Sequence, residues 1–127
     1  MLFDTDVLIW AMRGSVKAAN VIDDDGSRFI SAVTYMELMQ GARNKREQTL
    51  VKNFLKALCF TVLPIDEAIS HRAVVFIEEY ALQSGIQLAD ALVFATACEH
   101  SLILCSANEK HFCGISSLDT CVFKPEQ

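Results

Sequence analysis

No uncharged apolar run in this sequence approaches the ~18–20 residues that a membrane-spanning helix needs, so no membrane segment is expected. No secretory leader is expected either. Met1 runs directly into Leu2-Phe3-Asp4, which reads as folded structure, and a cytoplasmic protein is expected. Only two prolines and five glycines occur in 127 residues. With no linker, repeat or low-complexity tract, a single domain over residues 1–127 is expected. The five cysteines form no C-x-x-C pair, and the steps between Cys98, Cys105, Cys113 and Cys121 match no zinc spacing. They read as free thiols in a reducing compartment. Basic residues are the minority, 11 against 16 acidic, for a net charge of −5. That balance excludes whole-surface binding of a polyanion. It leaves room for an enzyme that meets one through bound metal and a local basic patch. At 52% hydrophobic, the chain can bury a core, which excludes disorder as its dominant state.

Short apolar runs suited to buried strands occur at Met1–Asp4, Phe29–Ser31, Phe60–Leu63 and Leu102–Cys105, with a weaker one at Cys121–Phe123. Helical stretches lie between them: Val7–Met12, Val16–Asp23 with Ser15 as its cap, Thr34–Ala42, and Leu88–Glu99. Leu50, Phe54, Leu55 and Leu58 form one amphipathic stripe, and Ile69, Ala73, Phe76, Ile77 and Tyr80 another that stops before Gly85. Strands alternating with helices predict an α/β fold with a mainly parallel sheet. The run Asp23-Asp24-Asp25-Gly26 reads as a solvated turn.

Three acids stand out against their neighbours. Asp4 follows the first strand, at the carboxyl end where α/β sheets build their sites, although Asp4 or Asp6 also suits the cap of the next helix. Glu37 is the only charge in Val33-Thr34-Tyr35-Met36-Glu37-Leu38-Met39. Asp90 is flanked by Leu88-Ala89 and Ala91-Leu92-Val93; as an N-cap it would lack a capping box, because Val93 stands three residues on. Ionised carboxylates are costly in apolar surroundings unless paired or bound to metal. Two of them ~4 Å apart repel by about 4 kcal/mol at an effective dielectric of ~20. A hard cation relieves that repulsion, and oxygen ligands favour Mg²⁺ or Mn²⁺. Such an ion neutralises a phosphodiester, activates water and stabilises the leaving oxygen.

Taken together, these blocks resemble the PIN-domain ribonucleases of the VapC toxin type. The resemblance rests on Leu2-Phe3-Asp4-Thr5-Asp6-Val7-Leu8-Ile9, on Ile30-Ser31-Ala32-Val33-Thr34-Tyr35-Met36-Glu37-Leu38 before Gly41-Ala42, on Gly85-Ile86 and Asp90-Ala91-Leu92-Val93-Phe94-Ala95-Thr96-Ala97, and on Leu104-Cys105-Ser106-Ala107-Asn108-Glu109-Lys110-His111-Phe112. It implies a three-layer α/β/α sandwich whose acids bind Mg²⁺ or Mn²⁺ and hydrolyse RNA. Carried over, the three acids are Asp4, Glu37 and Asp90, and the fourth family position falls on Asn108, which brings a carbonyl oxygen or an amide donor but no charge. Thr5 and Ser106 stand where hydroxyls orient a ligand or water; local backbone hydrogen bonds are the alternative. The resemblance further implies a homodimer and a cognate antitoxin whose tail crosses the acidic site. Trp10, Met12, Met36 and Met39 are candidates for the adjoining groove, and Arg13, Arg43, Lys45, Arg46 and Lys110 for holding the RNA backbone. His111 is expected at the surface beside an inward Phe112.

Other classes fit less well. Asp4-Thr5-Asp6-Val7 also suits the first motif of haloacid dehalogenase phosphatases, but the late chain offers Ser106-Ala107-Asn108-Glu109 where they need an acidic pair. A phospho-receiver needs an Asp closing its central strand, and Phe60–Leu63 runs into Pro64-Ile65-Asp66. A housekeeping RNA-processing nuclease and a catalytically silent interaction module share the fold.

Overall fold

The computed structural model describes residues 1–125; the end of the expected 1–127 domain, Glu126–Gln127, lies outside them. Its elements run β1 (Leu2–Phe3), α1 (Thr5–Met12), α2 (Val16–Asp23), β2 (Phe29–Ser31), α3 (Ala32–Gly41), α4 (Lys45–Ala57), β3 (Thr61–Leu63), α5 (Glu67–Ser84), α6 (Leu88–Glu99), β4 (Leu104–Ser106), α7 (Glu109–Phe112) and β5 (Thr120–Val122). The strands form one sheet in the order β3-β2-β1-β4-β5, and every pairing is parallel. No helix among the described residues is long and apolar enough to cross a membrane.

Each strand has only two or three residues, yet neighbouring side chains serve opposite faces. Leu2 and Leu104, in register across β1 and β4, pack with Ile69, Phe76 and Phe94. Phe3 and Cys105, the next pair, pack with Leu8, Ile30 and Leu55 on the other side. Helices α5, α6 and α7 therefore cover one face and α1, α2 and α4 the other, while α3 gives Val33 to the first and Leu38 to the second. This is the three-layer α/β/α arrangement.

The expected strands are all present: Phe29–Ser31 has the expected ends, and the others differ by one or two residues at one or both ends. In α4 the buried stripe is Val51 and Leu55, whereas Leu50 is 57% exposed. Of the expected Leu50–Leu58 stripe, Leu55 is buried and Phe54 and Leu58 pack against the same core; only Leu50 falls outside it, its place taken by Val51, one turn before Leu55 on the inner face. The acidic turn is less solvated than expected: Asp25 sits 2.8 Å from the N-terminal ammonium and accepts from the Ser27 amide.

Helix α5 ends where Gly85 takes the left-handed conformation (φ +71°) and donates its amide to Ala81. No atom within 4 Å would meet a Cβ there, so the cost of a side chain is conformational alone. Gly85→Ala is expected to lower the unfolding free energy by about 1 kcal/mol, seen as a lower urea midpoint at unchanged slope.

Candidate functional site

In a parallel sheet the carboxyl ends of the strands open a crevice where the order of connection reverses. Here β1 is followed by its neighbour on one side, β2, and the chain returns to its other side only at β4. Asp4 stands immediately after β1 and Ser106 closes β4, so both sit at that switch point.

Asp4 is the N-cap of α1, its Oδ1 accepting from the Thr5 amide at 2.8 Å. Its Oδ2 accepts from the Ser106 hydroxyl at 2.8 Å, a bond across 102 residues of sequence. Ser106 in turn accepts from the Asn108 amide at 3.0 Å. Asp4 is only 9% exposed, and its carboxyl is pushed up from 3.8 to about 7. Burial is the chief cause, the charge of Asp6 the next; the bonds from Ser106 and Thr5 pull the other way, and Asp90 adds a further upward push.

The other side chains reach this point from separate elements. Glu37, on α3, is exposed rather than buried in an apolar setting, and the cost argument drawn from its neighbours does not apply to it. Its tie to the site is Thr5, whose hydroxyl donates to Glu37 Oε1 at 2.6 Å and lies 3.2 Å from the buried Thr34 hydroxyl. Both candidate hydroxyls thus contact acids rather than only their local backbone. Asp90 is the third residue of α6 with Gln87 as its N-cap, and its Oδ2 accepts from the Gln87 amide at 3.1 Å. Asp90 is thus not the N-cap, as the unsuitable Val93 three residues on already argued; it is the acid that reaches back to the cap. Asn108 opens α7 and its amide nitrogen lies 2.8 Å from His111 Nδ1.

Two groups belong to the site that the sequence pattern left outside it. Asp6 is more than a capping candidate: its Oδ2 accepts from the Ala107 amide at 3.1 Å, and its Oδ1 is buried with no partner among the described residues. Burial and, to a lesser degree, Asp90 raise its carboxyl above the ordinary value. The signal was its two-residue spacing from Asp4 beside an apolar helix. His111 is not a surface group; its side chain is 20% exposed and its Nδ1 stands 2.8 Å from Asp90 Oδ2. The signal was its one-turn spacing from Asn108, read in combination with the inward Phe112, which is 4% exposed.

Beside Glu37 runs a groove of about 400 Å³ lined by Ile9, Met12, Arg13, Leu38 and Arg43. Met12 and Met36 are exposed, whereas Trp10 and Met39 pack against the core of the α1–α4 face. Arg43 is held by Glu47 at 2.8 Å; Arg13, Lys45 and Arg46 are exposed, as is Lys110 on α7. Among the described residues no three His, Cys, Asp or Glu side chains are drawn together as a ready-made metal cage. What is present is an oxygen donor set around a buried carboxylate and one orphaned carboxylate oxygen. Those features suit a hard divalent cation.

The family model for the PIN domain matches residues 1–117. The chain belongs to the PIN domain family. A chain of a toxin–antitoxin complex from Klebsiella pneumoniae is 31% identical to this PIN domain, with a TM-score of 0.80, over 99% of this chain and 98% of that one. FitAcB from Neisseria gonorrhoeae is 25% identical, with a TM-score of 0.74, over 98% and 96%. VapBC2 from Rickettsia felis, bound to a DNA fragment from its promoter, shares the fold at 19% identity and a TM-score of 0.83, over 97% and 98%. No curated protein is similar enough in sequence to match.

The Asp4 carboxyl sets a pH dependence. Its value in the folded state, about 7, lies above its ordinary 3.8, so between these values the folded protein holds a proton that the unfolded chain releases. Stability therefore falls as pH rises through that window, by up to about 1.4 kcal/mol per pH unit, and levels off above it. Urea unfolding in EDTA is expected to give a higher free energy at pH 5 than at pH 8. Asp4→Asn is expected to flatten most of that slope and to stabilise the metal-free protein at pH 8.

Proposed function

We propose that this PIN domain is a VapC-type toxin, a divalent-metal-dependent endoribonuclease of the cytoplasm that a cognate antitoxin holds silent. The observation that carries the reading is the buried Asp4 carboxyl where β1 and β4 part, raised by burial and by the charges of Asp6 and Asp90, with Glu37 tied in through Thr5. Asp4, Glu37 and Asp90 would hold Mg²⁺ or Mn²⁺. When bound, such an ion offsets phosphodiester charge and lowers the pKa of water. The likeness to a chain from a toxin–antitoxin complex supports the biological setting.

The protein's own side chains have separable tasks. Ser106 and the Thr5 amide fix both oxygens of Asp4, so that this carboxyl does not swing. The Thr5 hydroxyl, itself placed by buried Thr34, turns Glu37 toward the crevice. Asn108 holds Ser106 through its backbone amide and brings no charge of its own. Arg13 stands exposed in the groove beside Glu37, where it can meet the backbone phosphates of RNA. The same groove, apolar along Ile9, Met12 and Leu38, suits an amphipathic antitoxin segment whose Arg or Lys reaches the carboxylates. A homodimer completes the proposal, and the exposed Val74 and Leu88 beside the α5–α6 groove offer apolar surface for it.

The purified protein is expected to cleave RNA with Mg²⁺ or Mn²⁺, leaving 5′-phosphate and 3′-hydroxyl ends, and to stop in EDTA. Asp4→Asn and Asp90→Asn should each cost about 100-fold or more in rate, and Asn108→Ala less. Cleavage that persists with all metal chelated would rule the mechanism out. In cells, induction of the wild type should arrest growth, Asp4→Asn should not, and co-expression with the antitoxin should restore growth. Cleavage without growth arrest would point instead to a housekeeping RNA-processing nuclease.

A further inference from the structure

Helix α7 has only four residues, yet its place is closely fixed. Phe112 is 4% exposed and meets Phe94 of α6 edge to face, with ring centroids 6.2 Å apart at 88°. Phe94 lies one turn beyond Asp90 on α6, so the pair sets the register of α7 against the turn that carries Asp90. His111, next to Phe112, is thereby brought with its Nδ1 2.8 Å from Asp90 Oδ2. That same Nδ1 is 2.8 Å from the Asn108 side-chain nitrogen.

These two contacts exclude one another. An imidazole nitrogen either carries a proton and donates or carries a lone pair and accepts. If Nδ1 accepts from the Asn108 amide, an unprotonated nitrogen stands 2.8 Å from a carboxylate oxygen with no proton between them, and that contact is repulsive. If Nδ1 carries the proton, a turn of the ring aims it at the Asp90 carboxylate 2.8 Å away, a charge-assisted bond of the stronger kind. The Asn108 atom facing it must then be the carbonyl oxygen, which a half-turn of the amide supplies without any change of shape. The carboxylate selects the second arrangement.

We infer that His111 is a positioning residue that holds Asp90 through Nδ1–H, and that Asn108 acts through His111 instead of offering its side-chain oxygen to a metal. The inference rests on the proposed metal-dependent reading of the site. Asp90 Oδ2 is then held from two sides, by the Gln87 amide and by His111, which leaves Oδ1 as the oxygen free to bind. Hydrogen-bond partners behind a ligating carboxylate fix its orientation, and their loss commonly weakens metal binding by about 10–100-fold. Through Ser106 the start of α7 also steadies Asp4, so one short helix controls two acids that lie 86 residues apart in sequence.

The test uses the full chain and Mn²⁺ alone, titrated by electron paramagnetic resonance. His111→Ala should weaken Mn²⁺ binding about 10–100-fold. His111→Asn, whose amide nitrogen can stand where Nδ1 stood, should recover most of the loss. Asn108→Ala should weaken binding in the wild type and add nothing in the His111→Ala background. Wild-type affinity in His111→Ala, or an equal further loss from Asn108→Ala in that background, overturns the inference while leaving the metal site standing. A wild type that binds no Mn²⁺ overturns the metal reading and the inference with it. A second measurement needs neither metal nor a variant: ¹H–¹⁵N correlation across the imidazole rings of the metal-free protein at pH 8. Only three histidines are present, which makes assignment tractable. A proton on His111 Nδ1 is the expected result, and a proton on Nε2 with Nδ1 bare overturns the assignment.

Discussion

A single carboxyl, buried at the end of the central strand, sets the terms for the rest of this molecule. Asp4 cannot be moved outward without giving up its place between β2 and β4, and it cannot be ionised there cheaply, since burial and the neighbouring Asp6 both oppose its charge. The surrounding structure answers with donors. The Thr5 amide comes from the helix that Asp4 caps, and the Ser106 hydroxyl from the adjacent parallel strand. Those bonds reduce the penalty without removing it, as the upward displacement of the carboxyl shows. A fold that accepts such a penalty at the point where its strand order reverses is sacrificing stability at its site.

That sacrifice has a direction. Asp6 faces the same crevice with one oxygen bonded to the Ala107 amide and the other unpartnered among the described residues, a costly arrangement in neutral surroundings. A divalent cation inverts the local electrostatics: the charges that repel one another become the charges that bind. Any ligand that binds the folded protein and not the unfolded chain also stabilises it. On the proposed reading, metal affinity and fold stability at this crevice are therefore two expressions of the same crowding, and relieving the crowding by mutation strengthens the empty protein while disabling it.

The fold was legible because its signals are local. Apolar runs of a few residues mark buried strands, and the i, i+4 spacing of Ile69, Ala73 and Phe76 marks α5 up to Gly85. The four-residue α7 was not legible, being too short for any period to show. Family resemblance picked out Asp4, Glu37, Asp90 and Asn108, but flanking apolar residues misjudged Glu37. A helix can keep one exposed row among buried neighbours, and Glu37 lies on that row with Met36. Asp6 and His111 escaped for a different reason. Their partners, Ala107 and Asp90, become neighbours only through the parallel pairing of β1 with β4 and the packing of Phe112 on Phe94. Spacing sets Asp6 beside Asp4 and His111 one turn from Asn108, but it carries no record of the partners gained that way.

Charge explains why a neutral amide can occupy the fourth position. Asp4, Asp6 and Asp90 already raise one another's cost of ionisation, and one more carboxylate ~4 Å from any of them would add about 4 kcal/mol of repulsion at an effective dielectric of ~20. An asparagine avoids that addition and keeps two polar atoms at the same place. Its backbone amide holds Ser106, and its side chain meets His111. On the proposed reading, the pairing of Asn108 with His111 one turn later substitutes orientation for charge: where a fourth acid would pull on a cation directly, this turn would instead fix the carboxylates that do.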